Sequence, residues 1–137
     1  MGTTRETIVT TLNDAQSLRD LGLPEDAIVQ ADTLDSPTVR PFVVVRWLDE
    51  QPGVGAVTPR PFDLWVYDDP GDYTRCERIG VESLKILSDL DPIKTETGWI
   101  SQIRTHGRGL GRGQDLYDDG YEAVVIPFRA IAIASGL

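Results

Sequence analysis

The densest run of potential chemistry is HGRGLGRGQDLYDDG, His106 to Gly120. Glycines stand at 107, 109, 111 and 113, with Arg108 and Arg112 between them. Glycine-rich loops with basic residues cradle phosphates, because backbone N–H groups can approach an anion where no Cβ intervenes. The spacing excludes the two well-defined versions. A dinucleotide fingerprint needs G-x-G-x-x-G between a strand and a helix, whereas this run reads G-x-G-x-G-x-G and leads into a strand. A P-loop needs G-x-x-x-x-G-K-[ST], and no lysine follows any of these glycines. What survives is a solvated hairpin loop, flexible in the free monomer, whose Arg108 and Arg112 can reach an acidic surface or a phosphate backbone. The acids after it fail the calcium-loop pattern. With Asp115 at position 1, Tyr117 falls at 3 and Ile126 at 12, where carboxylates are needed. Asp118-Asp119-Gly120 reads instead as a turn entering the last strand.

The remaining reactive residues do not assemble. His106 is the only histidine, so it offers no zinc pair, and as a general base it needs a neighbouring nucleophile. Ser101 and Cys76 qualify by type alone. Cys76 lies on the apolar stripe of a helix, where a thiol is usually inert. Asp68, Asp69 and Asp72 could gather a cation, but helix capping accounts for them more simply. The expectation is a protein with no catalytic residue, no metal and no cofactor. A small cytosolic enzyme built on His106 is the rival of a different class.

The whole chain narrows the function classes further. Its 137 residues make one domain, 1–137, with 40% hydrophobic and 26% charged content, ordinary for a packed core. No run approaches the ~20 apolar residues of a membrane helix, and none at the N-terminus resembles a signal peptide. One cysteine excludes an internal disulfide and suits a reducing cytoplasm. A formal charge of −9 opposes nonspecific binding to nucleic acid, whose affinity comes from Lys and Arg on phosphates.

The elements that must position these residues follow from periodicity. Residues 4–21 read as an amphipathic helix with Ile8, Leu12, Ala15 and Leu18 on one face, stopped by Gly22 and Pro24. AIVQA, 27–31, can form a short strand. RPFVVVRWLD, 40–49, is rich in β-branched and aromatic residues and reads as a strand. After the Gly/Pro loop at 50–60, FDLWVYD alternates: Phe62, Leu64 and Val66 point one way, and Asp63, Trp65 and Tyr67 the other. A helix runs from DDPGDY to about Leu90, with Tyr73, Cys76, Ile79, Leu84, Leu87 and Leu90 as its stripe. GWISQIRTH and YEAVVIPFRAIAIA are two further strands, the second with Pro127 at an edge or a bulge. The order α-β-β-α-β-β predicts an α+β fold. It is a mostly antiparallel four-stranded sheet with two helices packed on one face. The other sheet face then carries aromatic groups and calls for a partner.

One resemblance joins these segments. PFVVVRWLDEQPGVGAVTPRPFDLWVYDDPGDYTRCERIGVESLKIL, then GWI and DLYDDGYEAVV, resembles the tail-terminator proteins of long-tailed, siphovirus-type phages that infect actinobacteria. It covers roughly residues 39–133. It is weaker over 1–38 and does not extend to GRGLGRGQ. The resemblance implies a structural virion protein, assembled in the host cytoplasm and located in the tail neck. It implies a self-assembled ring, usually a hexamer, that caps the head-proximal end of the tail tube, ends tube polymerisation and joins the head connector. Its partners would be the tail tube protein and the connector or stopper, with DNA passing through the lumen without specific binding and no membrane involved. A head-completion or stopper neck protein is the nearest alternative. On this reading Trp47, Trp65 and Tyr67 are candidates for strand-face packing or subunit contact. Arg108, Arg112 and Asp115 are candidates for a partner or lumen loop.

Overall fold

A computed structural model of the chain describes residues 4–30, 40–48, 58–94, 99–109, 114–118 and 121–135. The first helical segment is two helices rather than one: α1 (Thr4–Asn13) and α2 (Gln16–Asp20). The break has a local cause. Ala15 is extended, and the Asn13 amide turns away from the helix. Its Nδ2 donates to the Ile28 carbonyl and its Oδ1 accepts from the Ile28 N–H, each at 3.2 Å. Short polar side chains that can bond the backbone end helices in this way. α2 stops where expected. Gly22, at φ +99°, donates to Arg19, and Leu23 donates to Leu18, the paired bonds of a Schellman ending.

The other elements are β1 (Ile28–Gln30), β2 (Phe42–Trp47), β3 (Thr58–Asp68), α3 (Tyr73–Ser88), β4 (Ile93–Lys94), β5 (Trp99–Gly109), β6 (Gln114–Asp118) and β7 (Tyr121–Ser135). The fold is mixed α+β and the sheet mostly antiparallel, as the pattern implied. The sheet has seven strands, however, not four. Its order is β1-β2-β3-β7-β5-β4, with β6 also on β7. AIVQA supplies the parallel edge strand β1, and β4 is too short to carry a periodic signal. β3 and β5 run parallel with β7 slotted between them, so α3 makes a split β-α-β crossover.

β7 is therefore central, which corrects the edge position considered for Pro127. On the β3 side Pro127 pairs with Trp65. On its other side β5 pairs through Gly109 with Phe128 and β6 from Gln114 with Val125, and residues 110–113 between them lie outside the described residues. Pro59 and Pro61 lie past Trp47–Phe62, the last register pair that β2 makes with β3 among the described residues, so β2 does not need their missing N–H.

The helices pack on one face of the sheet. Phe62, Leu64 and Val66 of β3, and Ile126, Phe128, Ala130 and Ala132 of β7, meet Ile8, Leu12, Cys76, Ile79, Leu84 and Leu87 in one buried cluster. Tyr73 departs from the expected stripe and is exposed. Gly80 of α3 lies against the Phe128 ring. A Cβ there would fall well under 3.0 Å from three ring carbons. Helix and sheet thus approach through the residue with no side chain.

Candidate functional site

Strand alternation builds a second face, on which no helix packs among the described residues. Cross-strand register puts Phe42 beside Tyr67, Val44 beside Trp65 and Arg46 beside Asp63. It continues the rows with Val125, Pro127 and Arg129 of β7. Gln102 and Arg104 of β5, opposite Ile133 and Ile131, belong to the same face. So do Lys94 and Trp99 at the β4 end, because their neighbours Ile93 and Ile100 pair on the helical side.

The aromatic groups here are ordered by their neighbours. Phe42 and Tyr67 stack with centroids 4.6 Å apart and planes 7° off parallel. The Arg46 guanidinium lies 5.5 Å from the Trp65 ring centroid, a cation–π pair of about 0.5–1 kcal/mol at a partly exposed site. Asp63, 8% exposed at its side chain, accepts from Arg129 Nε at 2.9 Å and Nη2 at 3.3 Å. This fork holds the Arg129 guanidinium above its usual pKa range. With its amide oriented to suit its neighbours, Gln102 accepts from Arg104 Nε at 3.0 Å. Trp99 is 53% exposed, the most open large apolar side chain described. The face thus combines aromatic and aliphatic groups with cations, and Asp63 is the sole anion among its described side chains. Tryptophan, tyrosine and arginine in this combination characterise protein–protein contact centres.

The structure separates the three aromatic candidates. Trp65 and Tyr67 lie together on the helix-free face. Trp47 lies opposite Phe62 on the helical side, with ring centroids 4.7 Å apart and the Arg5 guanidinium of α1 5.4 Å from its ring. Its setting is packing between α1 and the sheet.

The Arg/Gly stretch is described only at its two ends. β5 and β6 both run antiparallel to β7 on the same side of it, and residues 110–113 between them lie outside the described residues. Register shifts after Ile100 and after Thr105 absorb extra residues in β5. His106 and Arg108 belong to β5 by backbone, Asp115 pairs with Val124 in β6, and Arg112 lies outside the described residues. Asp118 and Tyr121, on either side of the expected turn, pair with each other, and Asp119 and Gly120 lie outside the described residues. Of the loop expected at 50–60, 50–57 lies outside the described residues and 58–60 belongs to β3.

The acids at the start of α3 form neither cap nor open metal site. Asp72 makes no side-chain capping bond. The carboxylates of Asp68, Asp69 and Asp72 lie within 4.8 Å of one another, but Arg75 is already among them. Its Nε donates to the fully buried Asp68 at 2.8 Å, and Nη2 lies 3.3 Å from Asp72. Arg40 adds a second cation, 3.6 Å from Asp69. The hydrogen bond to Asp68 holds the Arg75 guanidinium above its usual range. A guanidinium in the centre meets the electrostatic demand a metal would meet. The sequence showed the acids but not Arg75 as their partner. Its i+3 spacing from Asp72 was the available signal.

Nucleophiles point to backbone. The Cys76 thiol donates to the Val66 carbonyl at 3.2 Å, and burial, followed by the nearby Asp68 charge, pushes its pKa up to about 12. Ser83 and Ser88 donate to the Ile79 and Lys85 carbonyls. No described serine or cysteine is paired with a base. No described helix is long and apolar enough to cross a membrane.

Against known proteins, the fold matches a chain from the "Virion of native gene transfer agent (GTA) particle". The match covers 98% of this chain and 96% of that one, with a TM-score of 0.68 at 14% sequence identity. A second solved chain matches over 96% of both at 14% identity, but its TM-score of 0.49 is too low to argue from. No family model and no curated protein matches the sequence. At this identity the likeness establishes a shared fold.

Proposed function

We propose that the protein is a structural component of a phage-like virion, a tail terminator that assembles as a ring on the head-proximal end of the tail tube. It ends tube polymerisation there and presents the surface that joins the head connector. The observation that carries this reading is the full-length fold likeness to a gene transfer agent virion chain. The motif series from VVVRW to DLYDDGY supports the terminator role within that class.

The helix-free face supplies what ring assembly requires, with Trp65 and Tyr67 in the subunit contact. The stretch that spans β5 and β6, with Arg108, Arg112 and Asp115, is the proposed contact to the tube, the connector or the lumen. Chemistry is not its task. The protein works by shape and surface complementarity, and DNA passes through without being held.

Electron microscopy of tail tubes assembled with and without the protein tests this. The expected result is tubes of fixed length capped by a ring at one end. Tubes that keep elongating, with no ring at either end, refute it. In particles lacking the gene, overlong tails indicate the terminator, whereas filled heads that leak DNA indicate a stopper.

A further inference from the structure

The two sides of the domain differ in charge. On the helices and the turns that flank them, the acids Glu6, Asp14, Asp20, Glu25, Asp26, Asp69, Asp72, Glu77, Glu82 and Asp89 outnumber the cations Arg5, Arg19, Arg75, Arg78 and Lys85. On the helix-free face, Lys94, Arg46, Arg104 and Arg129 stand against Asp63 alone among the described side chains. A chain of net charge −9 has therefore gathered cations around its apolar sheet face.

The helical side also carries a groove. About 330 Å³ in volume, it lies between the end of α2 and α3 and is lined by Leu21, Thr74, Glu77, Arg78, Val81 and Glu82. Val81 is 43% exposed, so the lining is partly apolar, and Glu77 and Glu82 outnumber Arg78 in it. On the opposite side of the domain, Trp99 projects beside Lys94, in the same face as Arg104. An indole flanked by cations and an apolar groove flanked by carboxylates are complementary in shape and sign.

We propose that copies of this chain associate head to tail, the cationic helix-free face of one seating on the acidic α2–α3 groove of the next with Trp99 as its apolar anchor. The two contacting surfaces differ and lie on opposite sides of the domain. Such a heterologous contact closes into a ring when its rotation permits. The inference rests on the ring reading above and names the surfaces that would make it. Charged rims steer encounter and set register, while the buried aromatic supplies affinity.

Sedimentation of the full chain over a wide concentration range, at low and high salt, tests the contact. The wild type is expected to self-associate, more weakly at high salt. Trp99→Ala should weaken association at least tenfold. Arg46→Glu with Arg104→Glu makes both surfaces acidic, and Glu77→Lys with Glu82→Lys makes both basic. Each double variant should sediment as a monomer, and their mixture should associate again. Thermal melts confirm that both stay folded, and Trp99→Ala tests the contact without any charge change. A wild type that stays monomeric, reversals without effect, or a mixture that does not reassociate overturns the proposal. Salt-sensitive DNA binding by a monomeric wild type overturns it also. Rings formed normally on tail tubes by either double variant overturn this contact and leave the neck role standing. Self-association with no ring on tubes does the reverse.

Discussion

Gly80→Ala should destabilise the protein although it improves a helix. Gly80 lies inside α3, where alanine is favoured by about 1 kcal/mol on propensity alone. The added methyl would fall well under 3.0 Å from Cε1, Cζ and Cδ1 of Phe128. Phe128 is fully buried in β7, with β3 and β5 on either side, so its ring has no solvent to retreat into. Overpacking of this kind costs about 1–3 kcal/mol, at the high end where the neighbours are rigid. The net loss is then about 1–2 kcal/mol, a fall in Tm of about 3–8 °C for a domain this size. Urea unfolding followed by tryptophan fluorescence should show a lower midpoint at unchanged slope. A double-mutant cycle isolates the cause. Phe128→Leu alone should cost about 1–2 kcal/mol, but in that background Gly80→Ala should become neutral or stabilising. A Gly80→Ala variant as stable as the wild type with Phe128 present refutes the close approach of α3 to the sheet.

Two further outcomes follow from the polar groups beneath α3. Asp68→Asn should cost about 1–3 kcal/mol in chemical denaturation, because it replaces one of the two buried oxygens that accept from the Arg75 fork with an NH2 donor and removes the charge, tempered by the partial exposure of that arginine. Asp72→Asn, whose carboxylate is about half exposed, should cost under about 1 kcal/mol; equal losses would refute the ranking. Cys76 should resist a thiol reagent at pH 8 in the native protein and react once it is unfolded. Because its folded pKa of about 12 exceeds the ordinary 9.0, the unfolded chain ionises first. Stability should fall as pH rises from about 9 toward 12, by up to about 1.4 kcal/mol per pH unit, and Cys76→Ala should remove that part of the slope. A thiol equally reactive in both states contradicts its placement.

Much of the fold was legible in periodicity. Ile8, Leu12 and Leu18 marked the buried side of the N-terminal helices, and Cys76, Ile79, Leu84 and Leu87 that of α3. Alternation along β3 separated Trp65 and Tyr67 from Phe62, Leu64 and Val66. These signals are local, since a helix or strand repeats its buried side at a fixed step. Sheet order is not local. Nothing in YEAVVIPFRAIAIA says that it lies between β3 and β5, and Pro127 left an edge position or a bulge open.

The same division governs the candidate site. Residue type and spacing alone excluded nucleotide and calcium loops from HGRGLGRGQDLYDDG, because those chemistries demand fixed local patterns. Only the tertiary structure paired both described ends of that run, in β5 and β6, with β7, because strand pairing depends on residues distant in sequence. Only it set Trp47 on the helical side, apart from Trp65 and Tyr67, because register across β2 and β3 decides which faces agree. The gathering of Arg46, Arg104 and Arg129 on one side of an acidic chain came from the same cause: three strands far apart in sequence present the same face when the sheet forms.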